Sequence, residues 1–237
     1  MTSIRGTASI IGLAILFTVT GCAKFPSAAP TSGKQLVLTL KVRGKINPID
    51  AIDPSIHRHY FIAIDNDNNI NTGPWAVVGP PYGNGWVTAQ FADRSIGLTS
   101  FVQYDDRNTE GYIYSVRPGS YFLNVFALEP PIQAELLDDS TLRVIVDFSQ
   151  IATAAIPADK IKQLDINFLT TNELPLSDVF VPGRIWDGLG SGGRDYVTVN
   201  TTTNGFYSDN NPSGPPVSDR DLDIVYWSVE VQAVSSR

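Results

Sequence analysis

Gln35-Leu-Val-Leu-Thr-Leu-Lys-Val-Arg43 sets the period of this chain. Leu36, Leu38, Leu40 and Val42 alternate with Val37, Thr39, Lys41 and Arg43. Successive side chains of a strand point to opposite faces, so a period of two predicts a strand with one buried face. The following apolar run, 58–65, carries Tyr60-Phe-Ile-Ala-Ile64 without a polar break and predicts a strand buried on both faces.

Outward from this pair the same grammar repeats. Strands are predicted at 86–91, 100–104, 111–116, 121–128, 133–137 and 141–148, with a hairpin turning at 138–140. Further strands fall at 163–169, 195–200 and 222–232, the last read as a central strand that closes the fold. Asp105-Asp106-Arg107-Asn108 and Pro118-Gly119 supply turn chemistry between them. One helical segment is predicted, 149–162, where Ile151, Ala154, Ala155 and Ile161 share a face. Pro157 splits it into one or two short turns. Two Gly/Pro/Asn-rich stretches, near 181–194 and 201–220, are expected to be long loops. About ten short strands with frequent turns predict an all-β protein, an antiparallel β-sandwich occupying residues 35–237 as one domain.

The N-terminus has a different grammar. One positive charge, Arg5, precedes an apolar stretch from Ala8 to Val19, which is too short to span a bilayer. It has the dimensions of a signal-peptide core and ends in Val19-Thr20-Gly21-Cys22. That ending resembles the bacterial lipobox, in which an aliphatic residue and two small residues precede a cysteine whose thiol accepts diacylglycerol. Cys22 is the chain's one cysteine, so an internal disulfide framework is excluded. The expected division is a lipoprotein signal peptide over 1–21, then an acylated Cys22 with a Pro/Ser/Ala tether over 22–34. Stretched out, the tether reaches at most about 40 Å. The resemblance implies an extracytoplasmic protein held on a lipid bilayer. Ala23, in place of the aspartate that resembles an inner-membrane retention signal, favours the outer membrane in a Gram-negative host.

Loss of residues 1–21 removes Arg5 and no acid, leaving sixteen Lys and Arg against twenty-four Asp and Glu. A domain this acidic is poorly suited to nucleic acid, which needs clustered cations.

Several local patterns carry chemistry. Asp65-Asn-Asp67-Asn-Asn69-Ile-Asn71-Thr-Gly73 places oxygen-bearing side chains at every second position after a buried strand. Asp65, Asp67, Asn69 and Asn71 are the candidate ligands for calcium, a hard cation that gathers oxygens. The pattern departs from an EF-hand, with Ile70 at the sharp-turn glycine position and Ala76 at the bidentate glutamate position. The alternative is a solvated turn, in which Asx side chains bond their own backbone.

Tyr60-Phe-Ile-Ala-Ile-Asp65-Asn-Asp67 followed by Asn71-Thr-Gly73-Pro74 is similar to the strand-and-loop signature of the DOMON and family-9 carbohydrate-binding-module-like β-sandwiches. The closing Ile224-Val-Tyr-Trp-Ser-Val-Glu230 suits their final strand. The resemblance implies a jelly-roll-type sandwich that binds sugar or, in the cytochrome type, haem. Haem is not expected, because Met1 is the one methionine and the two histidines, His57 and His59, lie on one strand face.

His57-Arg58-His59 can instead supply part of a transition-metal site, with any third ligand coming from elsewhere; a solvated strand edge is the alternative. Trp75-Ala-Val-Val-Gly-Pro-Pro-Tyr82-Gly-Asn-Gly-Trp86 presents aromatic rings on rigid backbone, so Trp75, Tyr82 and Trp86 are the candidate glycan-binding residues. The competing reading makes Trp75 and Trp86 caps of the core; Trp186 carries the same ambiguity. Gly188-Leu-Gly190-Ser-Gly-Gly193 has dinucleotide-loop spacing but lacks the preceding strand and following helix, and is read as a loop. No activated nucleophile is marked, and Asp105-Asp106 and Asp138-Asp139 sit in turn-like sequence. The expectation is a non-catalytic binding lipoprotein whose ligand is glycan. The alternative is a structural or assembly lipoprotein that contacts other envelope proteins.

Overall fold

The computed structural model describes residues 32–74, 97–116, 125–173, 183–190, 193, 195–210 and 216–234. In chain order the strands are β1 (Lys34–Val42), β2 (His59–Asp65), β3 (Ser100–Tyr104), β4 (Tyr112–Val116), β5 (Val125–Ala127), β6 (Gln133–Asp138), β7 (Thr141–Asp147), β8 (Gln163–Thr171), β9 (Trp186–Gly188), β10 (Val197–Asn200), β11 (Gly205–Asp209) and β12 (Ile224–Ala233). They form two antiparallel sheets. The first runs β11-β12-β1-β7-β6; the second runs β10-β8-β2-β3-β4-β5, with β9 also paired to β8.

The all-β antiparallel sandwich is therefore the observed fold, and the alternation in β1 is its clearest cause. Leu36, Leu38, Leu40 and Val42 are fully buried. They meet Val144 and Val146 of β7 and Val229 and Val231 of β12 on the same sheet, and Ile62, Ile64, Ile166 and Phe168 from the facing one. Burying each such side chain contributes roughly 1.5–3 kcal/mol. Every residue of β2 is buried, as its unbroken apolar run predicts. Tyr60, Ile62 and Ile64 enter the main core, while Phe61 and Ala63 join Leu98, Phe101 and Leu169 in a second cluster on the opposite face.

Two short helical turns interrupt the strands, α1 (Phe148–Ile151) and a 3-10 turn at Ala158–Lys160. Phe148, expected to end a strand, instead opens α1. Asp147 caps it, its Oδ1 accepting from Ser149 N at 2.8 Å while Gln150 Oε1 accepts from Asp147 N at 3.0 Å. This capping box satisfies free amides and turns the chain.

Two strands occupy segments expected to be loops. β9 is three residues long, too short for a periodic signal. β11 is an edge strand paired only to β12, with Phe206 exposed and no fully buried position, so it lacks an apolar face to read. The strand predicted at 86–91 and the first four residues of the one at 121–128 lie outside the described residues. β12 is an interior strand between β11 and β1, as its sequence suggested.

Candidate functional site

The outer face of the second sheet brings the chemistry together. Along β2, side chains on that face are His59, Phe61, Ala63 and Asp65, alternating with the core-facing Tyr60, Ile62 and Ile64. An apolar middle thus separates two polar ends, about 20 Å apart at strand rise.

At the first end, β3 runs antiparallel to β2 with Tyr60 opposite Tyr104, so the next step places His59 beside Asp105. His59 Nδ1 lies 3.0 Å from Asp105 Oδ2, both side chains being buried. Asp105 is the hub of the turn that follows β3. Its Oδ1 accepts from the amides of Arg107 and Asn108 at 3.0 and 2.9 Å and from Asn108 Nδ2 at 3.1 Å, and Gln103 Nε2 donates to Oδ2. Burial alone would raise this carboxyl, but the hydrogen bonds from His59 and Gln103 outweigh it and hold it at about 2. Asp105 is therefore an anion that only accepts, so the His59 nitrogen facing it is the protonated one.

Beside this pair stands a second. His57, two residues before His59 and bridged to Ile49, places Nδ1 3.2 Å from Asp106 Oδ2. His57 is 44% exposed and His59 only 5%. One donor atom from each of His59, Asp105 and Asp106 lies within 4.8 Å of the other two. Asp106 Oδ1 is buried with no hydrogen-bond partner among the described residues. The cluster forms one wall of a pocket of about 450 Å³, which His57, His59, Asp106, Arg107, Asn172 and Glu173 help to line.

The other polar end begins the predicted calcium loop. Asp65 is 1% exposed and its Oδ2 has no hydrogen-bond partner among the described residues. Burial, then repulsion from Asp67 and Asp165, pushes its carboxyl up to about 7. Beyond Asp65 the loop bonds itself. Asp65 Oδ1 accepts from Asp67 N at 3.1 Å, Asp67 Oδ1 from Asn69 N at 2.7 Å, and Asn69 Oδ1 from Asn71 N at 3.2 Å. Asn69 and Asn71 are exposed, and Asn69 Oδ1 also accepts from Asn71 Nδ2 at 3.3 Å within the loop. Asp165 of β8 stands opposite Asp65 and adds to the repulsion on it, a neighbour that a reading of the loop alone omits.

The aromatic candidates Trp75, Tyr82 and Trp86, and Cys22, lie outside the described residues. The two ends of the aromatic segment are described. Pro74 O accepts from buried Asn167 Nδ2 at 2.8 Å. Gly97 approaches Gly73 so closely that an added Cβ would stand 2.1 Å from the Gly73 nitrogen. Trp186 is half-buried in β9 and packs on the outer apolar cluster. Against expectation a short strand, β9, does lead into Gly188-Leu189-Gly190, but these residues turn and among the described residues no helix follows, so the dinucleotide arrangement is still incomplete.

The sequence reading named His57 and His59 but left Asp105 and Asp106 as turn acids. The missing signal was strand register, which no spacing along the chain supplies across 46 residues. No family model matches the chain, and neither a curated protein nor a solved structure does.

Proposed function

We propose that the chain is a bacterial lipoprotein, anchored through acylated Cys22, whose sandwich is a non-catalytic module for a hydroxyl-rich ligand of the glycan class. The observation that carries the ligand reading is the pocket of about 450 Å³ at the mouth of β2. Its imidazole, carboxylate, guanidinium and amide groups offer donors and acceptors that suit neighbouring hydroxyls. His59 is fixed in β2 and the rest stand in segments that abut β2, β3 and β8, which lowers the ordering cost of binding. Trp75, Tyr82 and Trp86 belong to the reading as stacking rings, in a segment whose ends Asn167 and Gly73 hold.

A non-catalytic role fits the chemistry of Ser55, which lines the pocket. Its Oγ donates to the Asp53 carboxylate at 2.6 Å rather than to an imidazole, and the hydrogen bonds from Ser55 hold that carboxyl below its usual range, which leaves it a weak base. The anchor reading rests on Val19-Thr20-Gly21-Cys22, and the outer-membrane preference on Ala23. Among the described residues no helix is long and apolar enough to cross a membrane. A DOMON or family-9-like jelly roll is the finer form of the sandwich that this reading adopts. Calcium at Asp65 and Asp67 belongs to the same proposal.

Affinity electrophoresis of the full chain in detergent, through a panel of soluble polysaccharides with calcium, tests it. Retardation by one polysaccharide is expected, weakened by His57→Ala and Glu173→Ala; uniform mobility across the panel overturns the glycan reading. Labelling with a fatty-acid analogue tests the anchor and should vanish in Cys22→Ser.

A second reading, an assembly lipoprotein, is favoured by edge strand β6, which pairs only with β7 and exposes Leu136 and Leu137. Under that reading Leu137→Lys abolishes an envelope cross-link and leaves polysaccharide mobility unchanged.

A further inference from the structure

We propose that His57, His59, Asp105 and Asp106 form a site for a divalent transition metal of the zinc class. The inference does not depend on the glycan reading, because it concerns an ion held by protein atoms alone. His59, Asp105 and Asp106 converge there from two separated segments, with His57 at their edge beside Asp106, and they are of the two types that such ions take, imidazole nitrogen and carboxylate oxygen. Calcium and magnesium prefer oxygen-only shells of six or more ligands, so two imidazoles argue against them.

The spacing suits a small ion. Ligands about 2.0–2.1 Å from a tetrahedral zinc stand about 3.3 Å from one another. The observed His59–Asp105 and His57–Asp106 separations are 3.0 and 3.2 Å, and His59, Asp105 and Asp106 each bring a donor atom within 4.8 Å of the other two. An ion entering the cluster takes the place of any Nδ1 proton facing the carboxylates; that proton leaves to solvent, and solvent protonates Nε2 where that nitrogen was bare. Each neutral ring then carries its proton on Nε2, with Nδ1 bound to the metal.

The supporting contacts are already built. Gln103, Asn108 and the amides of Arg107 and Asn108 fix the Asp105 carboxylate, which is the kind of outer contact that orients a ligand. Asp106 Oδ1 is buried and without a partner among the described residues, so a lone pair is left for an ion. The pocket that His57, His59 and Asp106 line gives access and room for a water ligand.

The test uses the untagged full chain in detergent, stripped with chelator and kept free of saccharide. Zinc is titrated by calorimetry and cobalt(II) by visible absorption. One equivalent of zinc and the bands of four-coordinate cobalt are expected. His57→Ala and Asp106→Asn each weaken zinc binding at least tenfold while the far-UV spectrum is kept, since both leave the Asp105 network intact. Asp65→Asn, at the far end of β2, leaves zinc affinity unchanged. Absence of saturable binding overturns the proposal, as does binding that His57→Ala and Asp106→Asn leave untouched. Polysaccharide retardation measured in chelator is a separate readout, so either result stands without the other.

Discussion

Asp65 of β2 stands directly opposite Asp165 of β8 in the antiparallel register, and both carboxylates are buried. Like charges in facing positions destabilise a sheet. Asp165 is partly satisfied by Thr198 and Gln163, whereas Asp65 keeps an unpartnered oxygen among the described residues. Burial pushes both upward, Asp65 to about 7, and burial likewise raises Asp187 to about 6. A carboxyl raised on folding binds protons that the unfolded chain, near 3.9, has released. Stability is therefore lost as pH rises from about 4 through 7, and is regained on mild acidification. The melting temperature of chelator-treated protein should be higher at pH 5 than at pH 8. Asp65→Asn should raise it at pH 8 by a few degrees, on the order of 1–2 kcal/mol, and flatten the dependence. Equal melting temperatures at the two pH values would remove the argument.

The same relationship gives calcium a place to act. Calcium taken up at Asp65 would relieve the repulsion that Asp67 and Asp165 exert on it. Millimolar calcium at pH 8 should raise the melting temperature of the wild-type chain and do nothing to Asp65→Asn. Asn71→Ala should leave the calcium response intact, because that side chain faces its own loop. A response lost in Asn71→Ala but kept in Asp65→Asn would return the site to the exposed loop.

Asp105 predicts the acid side of the profile. Its folded value, about 2, is below the unfolded one near 3.9, so its contribution is complete above about 4 and disappears as pH falls towards 2. Asp105→Ala strips the partners from His59, Gln103, Asn108 and two turn amides at once. Urea unfolding at pH 7 should show a loss of about 3–5 kcal/mol. Asp105→Asn keeps acceptor geometry on one oxygen, so it should cost less and specifically shrink the drop between pH 4 and pH 2.

The fold was legible where burial is one-sided or complete. β1 announces its face through four alternating apolar residues, and β2 its burial through an unbroken run. β11 was illegible because an edge strand with Phe206 outward buries no face, and Phe148 because a cap, not apolarity, decides where β7 stops. At the site, the histidines were visible as a pair because two-residue spacing is a local fact. Their carboxylate partners were not, because only the β2–β3 register brings Asp105 and Asp106 across. Asp165 was invisible to the calcium loop for the same reason: its neighbour is opposite it on another strand, and no motif spans the intervening hundred residues.

Arg58 offers the most direct test of what holds the mouth of β2 in place. Its guanidinium is buried, donating from Nη2 to Asp50 Oδ2 at 2.8 Å and from Nε to Asp219 Oδ2 at 2.8 Å, with Asp221 at 3.7 Å. One side chain thus ties the segment before β2 to the segment before β12. It sits between His57 and His59, whose side chains take the opposite direction. Tyr60 reinforces the same junction, its hydroxyl accepting from Asn47 N at 3.0 Å and donating to Asp221 O at 3.2 Å. Removing one partner of a buried ion pair leaves the other charge uncompensated, so Arg58→Met should cost about 3 kcal/mol or more in urea unfolding. Arg58→Lys retains the charge but cannot reach two carboxylates through separate nitrogens, so it should recover only part of that loss. In Arg58→Met with Asp219→Asn the two costs should sum to less than their separate values, because the second substitution removes a charge the first has stranded. Full additivity would mean that Arg58 and Asp219 are not coupled. The mouth of β2 would then depend on the Tyr60 hydroxyl and the surrounding backbone bonds instead.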